Sequence, residues 1–454
     1  MKRLSSLFLA AIFAAPLVNL PAASADTPHL AAGDANRIAM SYSDLTTEFY
    51  KHVDTQNVLN SVHDELDKTL KARHIDGTIP SLHASDNAQT NVRAIDLAVE
   101  QAQHKAHSSL SSRDLSYAAI DGMMRSVNDR YTVFLSPKDY ADLNSGLDGG
   151  NFGGTGIVIQ ADDTTKYITV SNVVPDGPAD KAGIQQDDQI VSIDGASTKG
   201  WSIDRASAHL RGKEGTKVTL GIERAGKTLA PITLTRAQIH QMSVFDKMLP
   251  GNIGYVALTV FGKDTSDELN TALDRLQKRG ARAYILDLRD NGGGYLEAAV
   301  GVSSKFISSG PIVSVESRAS SITTLEANDT AISPVPLVVL VNGHTASASE
   351  ITSGAIQDSG VGTIMGTKTF GKGVVQTIFP LGDGSAVKIT TARYLTPHNR
   401  DINHLGITPD VVVEENAKPR FGDPTKDTQL QRAVQYIDDR IAHLNDINGT
   451  GTSQ

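Results

Sequence analysis

The hydrophobic period of this chain changes at one glycine run, Leu147-Asp-Gly-Gly-Asn-Phe-Gly-Gly-Thr-Gly156. From about Ala35 to Tyr140 apolar residues recur at helical spacing, as in Leu45, Phe49, Val53 and then Leu59, Val62, Leu66, Leu70. Past the run the apolar stretches are short and strand-like: Gly156–Ile159, Ile168–Val170, Gln189–Ile193, Val218–Ile222 and Ile232–Leu234. Short helical pieces fall between them at Ala179–Gly183 and Ser202–Leu210. From Asn252 onward buried-type strands (Tyr255–Val260, Ala283–Leu288, Ile312–Val315, Pro336–Val341) alternate with helices (Ser266–Arg279, Ala346–Gln357), the pattern of an α/β core. Leu430, Ala433, Val434, Ile437, Ile441 and Leu444 form one helical stripe that predicts a docking helix. Such a chain builds several cores in series. The expected segments are a leader at 1–25, a helical region at 26–145, a β-rich module at 146–238, an α/β core at 239–416 and a C-terminal helical tail at 417–454. Within the helical region, the polar, proline-bearing stretch Ala72–Asn91 is expected to loop out.

The leader reading rests on Lys2-Arg3, the apolar run Leu7–Leu20 interrupted only by Asn19, and Ala23-Ser-Ala25 before Asp26. This is the build of a secretory signal peptide, and it places the protein outside the cytoplasm, in a bacterial periplasm or beyond, or membrane-anchored if the leader is not cleaved. No later segment is apolar enough to cross a bilayer, so no stable membrane span is expected in the mature chain. Losing the leader takes the formal net charge from −9 to −11, which argues against nucleic acid or an anionic membrane as partner. With no cysteine, stability must come from packed cores.

Thr345-Ala-Ser-Ala-Ser-Glu350 runs into a predicted helix, and Lys372 lies 25 residues after Ser347 in the glycine turn Thr369-Phe-Gly-Lys-Gly-Val-Val-Gln376. A neutral lysine can take the proton of a serine hydroxyl, which is otherwise too weak a nucleophile near neutral pH. An ordinary lysine, with a pKa near ~10.4, stays charged there, so the pair requires a desolvated amine.

In the β-rich module, Gly154-Thr-Gly-Ile157 is followed by Val174-Pro-Asp-Gly-Pro-Ala179, Ala182-Gly-Ile184 and Asp188-Gln-Ile-Val-Ser-Ile-Asp-Gly195. This order resembles a PDZ domain of the bacterial protease type. The resemblance implies that backbone N–H groups of Gly154, Thr155, Gly156 and Ile157 receive a peptide's terminal carboxylate while the peptide adds as a strand. Asp187 stands where that family usually has glycine, and aspartate tolerates the positive φ required.

Together with this module, Asp287-Leu-Arg-Asp-Asn-Gly-Gly-Gly294, Ala346-Ser-Ala-Ser-Glu350 and Phe370-Gly-Lys-Gly-Val-Val-Gln376 resemble the carboxyl-terminal processing peptidases, or tail-specific proteases. Asn128-Asp-Arg-Tyr-Thr132 and Gly406-Ile-Thr-Pro-Asp410 are similar to flanking motifs of that family. The resemblance implies Ser347 as nucleophile, Lys372 as base and Gln376 as the residue orienting the amine, four positions apart on an extended segment. It also implies an oxyanion hole from the N–H groups of Ala348, at a helix start, and Gly293. Thr345 replaces the first serine of the family's run, and Gly292 replaces the proline of its Asn-Pro-Gly-Gly. The implied core is an α/β spiral related to the crotonase type. No metal or organic cofactor is implied. The implied partners are protein substrates with accessible C-terminal tails, with room for an adaptor or homo-oligomer.

Other readings compete at each position. Ser347 could cap its helix, Lys372 could be a solvated turn lysine, Gln376 a surface strand residue, and Ser349 the nucleophile instead. Asp358 reads as structural support, and His404 as an incidental loop histidine. Gly366-Thr-Lys-Thr-Phe-Gly-Lys372 mimics a phosphate-binding loop, but Gly373 stands where Ser or Thr must ligate Mg²⁺ and a strand follows. None of the 13 histidines is followed by glutamate, so no His-Glu-x-x-His zinc helix exists. From another functional class, the same fold could serve as a binding protein or PDZ scaffold. A dead relative would have lost Ser347, Lys372 or Gln376, and all three are present.

Overall fold

The computed structural model describes residues 30–449 except 163, 319–320 and 415–421. The leader and the 416/417 boundary lie outside the described residues, as does the side chain of Leu444.

Four helices open the chain: α1 (Ala32–Glu48), α2 (Thr55–Ala72), α3 (Ala88–Ala106) and α4 (Ser112–Arg125). Side chains cap three of them, Asp54 on α2, Asn87 on α3 and the Ser111–Asp114 capping box on α4. Leu45, Leu59, Val62, Leu66 and Leu70 are wholly buried in their shared core, as the spacing predicts. The stretch between α2 and α3 is irregular and mostly exposed, as expected, but it is tied to the bundle. Ile79 is buried and its N–H donates to Asp67 Oδ1 at 3.0 Å, while Gln56 bonds Leu82 O and the Ala84 N–H. Polar composition signalled a loss of helix there, and side chains from α2 then satisfied the backbone against the bundle.

After β1 (Val133–Leu135) and α5 (Pro137–Leu147) comes the small β module. It is entered by β2 (Asn151–Gly154) and contains β3 (Ile157–Ala161), β4 (Ile168–Val173), α6 (Pro178–Lys181), β5 (Gln189–Ile193), β6 (Ala196–Ser197), α7 (Ile203–Leu210), β7 (Lys217–Arg224), β8 (Lys227–Thr228) and β9 (Ile232–Thr235). The strands β3-β4-β5-β7-β8 form an antiparallel sheet, with β6 on β5 and β9 on β7. The chain leaves by β10 (Ala237–His240), which pairs with β2, so entry and exit form one ribbon. Asp187 takes φ 70°, the left-handed turn expected where glycine is missing.

The core follows with β11 (Val244–Leu249), β12 (Ile253–Leu258), α8 (Thr265–Lys278), β13 (Ala283–Asp287), α9 (Leu296–Ser303), β14 (Pro311–Ser317), β15 (Ile322–Glu326), β16 (Leu337–Val341), α10 (Ala348–Ser359), β17 (Thr363–Gly366), β18 (Val374–Pro380), β19 (Ala386–Leu395), β20 (Val411–Val412) and α11 (Thr428–Gly449). Its main sheet runs β11-β12-β13-β16-β17-β20, parallel except at β11. Apolar faces of α8, α9 and α10 cover one side; Leu430, Ala433 and Ile437 of α11 cover the other. This two-sided burial explains why β13 and β16 are apolar without alternation. A second sheet, β1-β19-β14-β15 with β18 on β19, packs its Val387 and Ile389 into the helical bundle and so joins the N-terminal region to the core.

Candidate active site

Three loops leave the carboxyl ends of the adjacent parallel strands β13, β16 and β17, the end of an α/β sheet where ligands gather. They carry Gly292–Gly294, Ser347 and Lys372 respectively. Ser347 is the N-cap of α10 at φ 58° and ψ −118°, a conformation costly for a side-chain-bearing residue. Its neighbours hold it there. The Thr345 hydroxyl donates to Leu288 O at 2.8 Å and accepts the Asn342 N–H at 2.9 Å, and the Ala346 N–H donates to Asn291 O at 3.0 Å. Threonine therefore serves this loop with its hydroxyl. Ser349 is wholly buried and donates to Asn291 O at 3.0 Å, committed to holding the loop.

Ser347, Ala348, Gly293, Lys372 and Gln376 all line one cleft of about 990 Å³. The Ala348 N–H has no acceptor among the described residues. The Gly293 N–H, by contrast, donates to Asn291 Oδ1 at 2.9 Å. Gly293 adopts φ +96°, and a Cβ there would lie 2.7 Å from Ala346 O and 2.8 Å from Ser347 Cβ, so only glycine fits against the serine.

The Lys372 amine lies 4.9 Å from the centre of the Tyr131 ring. Burial, with Lys388 and Arg130 nearby, lowers its pKa from 10.5 to about 8, against the opposing pull of Glu350 and Asp129. Among the described residues no hydrogen bond joins this amine to Ser347 or Gln376. Gln376 Nε2 donates to Thr390 Oγ1 at 3.4 Å, and Thr390 in turn donates to Asp129. The irregularity in the β18–β19 pairing falls on β19, where Thr391 is passed over between Ala392 and Thr390, so the side-chain alternation along β18 itself is unbroken. Ser347 and Lys372 thus share a cleft without a bond between them.

In the β module, Gly154, Thr155 and Gly156 are buried and Ile157 opens β3. Thr155 O accepts from the Ala179 N–H at 3.0 Å and Gly156 O from the Val174 N–H at 2.8 Å, leaving the loop packed under α6 and its approach. A smaller cleft of about 290 Å³ opens beside it, lined in part by Val174, Gly177 and Ile239.

Asp358 accepts from the His398 N–H and from Arg400, a structural role. His404 lies outside the Ser347 cleft, against a neighbouring one lined also by Asp129 and Tyr131. The phosphate-loop mimic leads into β18, a strand. Residues that the sequence did not single out surround Ser347 and Lys372: Glu350, Tyr131, Asp129, Lys388 and Tyr394. Glu350 sat inside the serine motif and Asp129 and Tyr131 inside Asn128–Thr132, so the signal was present as motif membership. Lys388 and Tyr394 lay in no motif.

The protein-family models for "PDZ domain" and "Peptidase family S41" match residues 147–223 and 252–413. The carboxyl-terminal-processing protease of Synechocystis is 38% identical over 340 residues, 73% of this chain and 79% of that protein. The carboxy-terminal processing protease CtpA of Bacillus subtilis is 37% identical over 70% of this chain and 68% of its own length. A solved photosystem II D1 C-terminal processing protease aligns over 85% of this chain and 94% of that one, at 30% identity and TM-score 0.46. The two family models cover the β module and the loops that carry Ser347 and Lys372, and with the two relatives they give no support to a non-proteolytic scaffold. The chain belongs to the carboxyl-terminal-processing proteases, the PDZ-bearing serine peptidases of family S41.

Proposed function

We propose that this serine peptidase cleaves proteins near their C-termini, with Ser347 as nucleophile and Lys372 as general base. The observation that carries the reading is a half-buried lysine, its pKa lowered to about 8, in one cleft with a serine held at the N-terminus of α10. Ser347 Oγ attacks the scissile carbonyl carbon as its proton passes to Lys372 Nζ. The tetrahedral oxyanion is received by the Ala348 N–H, joined by the Gly293 N–H once it leaves Asn291 Oδ1. Collapse breaks the C–N bond, and the lysine ammonium protonates the departing amine. Water, deprotonated by the same lysine, then attacks the Ser347 ester; the C–Oγ bond breaks as the lysine returns its proton to Oγ, freeing the product carboxyl group and the neutral amine. Gln376 Oε1 takes up the Lys372 amine as the dyad closes. The Gly154–Ile157 loop engages the substrate's terminal carboxylate, and the leader supports action outside the cytoplasm, in a periplasm.

Casein digestion separates the serines: Ser347→Ala is expected to be inactive and Ser349→Ala to keep most of its turnover. The reverse result would reassign the nucleophile. Amidating the C-terminus of a protein substrate should slow its cleavage by the wild type; equal rates would remove carboxylate recognition.

A further inference from the structure

Glu350 is wholly buried on the first turn of α10, and its four hydrogen-bond donors are neutral. Oε2 accepts the Ser347 N–H at 3.0 Å and the Lys372 N–H at 2.8 Å; Oε1 accepts the Gly371 N–H at 2.7 Å and the Thr369 hydroxyl at 2.6 Å. We propose that Glu350 is a positioning residue for the proteolytic pair, its carboxylate tying the backbone of Ser347 to the loop that carries Lys372. The inference rests on the reading of these two residues as the dyad.

A helix cap needs only the first of those bonds, the one to its own N-cap residue. The other three donors all come from residues 369–372, so the carboxylate is built to hold a distant loop. One oxygen shared by the two catalytic residues fixes the separation of their backbones. Four donors meet the roughly four lone-pair sites of a carboxylate, which offsets the cost of burying its charge. A second clasp lies alongside: Tyr394 Oη approaches Lys372 O at 2.7 Å and Ser347 O at 3.2 Å. Both clasps act on backbone and leave Ser347 Oγ and Lys372 Nζ to the reaction.

The role has an electrostatic signature. Groups facing Lys372 are Glu350 on α10, Lys388 and Tyr394 on β19, and Asp129, Arg130 and Tyr131 ahead of β1. Glu350 raises the lysine pKa, while burial, Lys388 and Arg130 lower it. Removing the Glu350 charge while the site stays closed therefore lowers that pKa further. Opening the site to water would instead return it toward 10.5.

The test is Glu350→Gln in the full chain, assayed on a short peptide reporter beside Ser347→Ala. Glutamine is isosteric but has one acceptor oxygen, so one pair of donors loses its partner. The expected result is a fall in kcat of about 100-fold, KM unchanged within about 2-fold, and an acid limb of kcat/KM moved to lower pH. Wild-type kcat, or an acid limb moved upward, overturns the proposal. Cleavage surviving in Ser347→Ala would instead remove the dyad reading beneath it. If Glu350→Gln does not fold, Thr369→Val and Thr369→Ser replace it. Valine removes the donor to Oε1, and with it the acceptor of the Ile407 N–H, and should lower kcat and move the acid limb while serine restores both; equal loss in both variants, or in neither, overturns the positioning role.

Discussion

Asp287 and Asp427 meet a guanidinium in the core, whereas Glu350, buried as completely, meets only neutral donors. Arg289 bonds both oxygens of Asp287 at 2.9 and 2.6 Å and both of Asp427 at 2.9 and 2.7 Å, with Gln429 Oε1 at 3.1 Å. Asp427 also accepts the Leu430 N–H at the start of α11, where the helix dipole favours a negative charge. That centre is a joint between the β13 loop and the C-terminal helix, where one guanidinium offsets one of two carboxylate charges and neutral donors, among them the Tyr255 hydroxyl, complete the bonding. At Glu350 the geometry is satisfied by N–H and hydroxyl groups, and the charge remains to act on Lys372. On the proposed reading the contrast separates two uses of a buried carboxylate: one holds the fold, the other holds and tunes the chemistry.

The largest effect that could break this contrast is expected on the active-site side. Lys372→Arg should abolish turnover, a loss of at least ~10⁴-fold, with an unchanged unfolding midpoint, because a guanidinium cannot give up its proton at usable pH. Turnover retained in this variant, measured on the peptide reporter, would mean that a permanent cation suffices and that tuning is beside the point.

Arg289→Met comes next, and its effect should fall on stability. Two buried carboxylates left unpaired should cost about 3–5 kcal/mol in urea unfolding. Activity should follow the folded fraction. A stable but inactive variant would place the joint within the chemistry and dissolve the distinction.

The smallest effect sharpens the comparison. The acid limb of kcat/KM should fall near pH 8, where burial and Lys388 hold the Lys372 amine. Protonation below that pH removes the base, so activity rises with pH through the limb. Lys388→Met deletes a repelling cation, which raises the Lys372 pKa and should move the limb upward, opposite to Glu350→Gln. Identical shifts in the two variants would show that neither charge acts on the lysine directly.

Much of this site was legible in order along the chain. Ser347 and Lys372 each sat in a motif with glycine or small residues beside it, and Gly293 in a third, because close backbone approach demands small residues whatever the distant context. The expectation for Gln376 came with the family resemblance, supported by strand alternation; the sequence could not show that its amide bonds Thr390, a partner 14 residues on across the hairpin. The Ala72–Asn91 stretch was legible as non-helical but not as packed, since the partners of Ile79 and Ala84 come from α2.

Local chemistry decided what this sequence states unaided: helix from the 3.6 spacing of Leu59 to Leu70, buried strands from runs such as Leu337–Val341, a tolerated turn at Asp187, and a serine 25 residues before a lysine. None of these says which groups will surround that lysine. Tyr131 and Asp129 reach it from about 240 residues earlier, Lys388 and Tyr394 from β19, and Glu350 from the turn beside the serine. A lysine becomes a base through burial and neighbouring charge, and both exist only once the sheets and loops have closed around it.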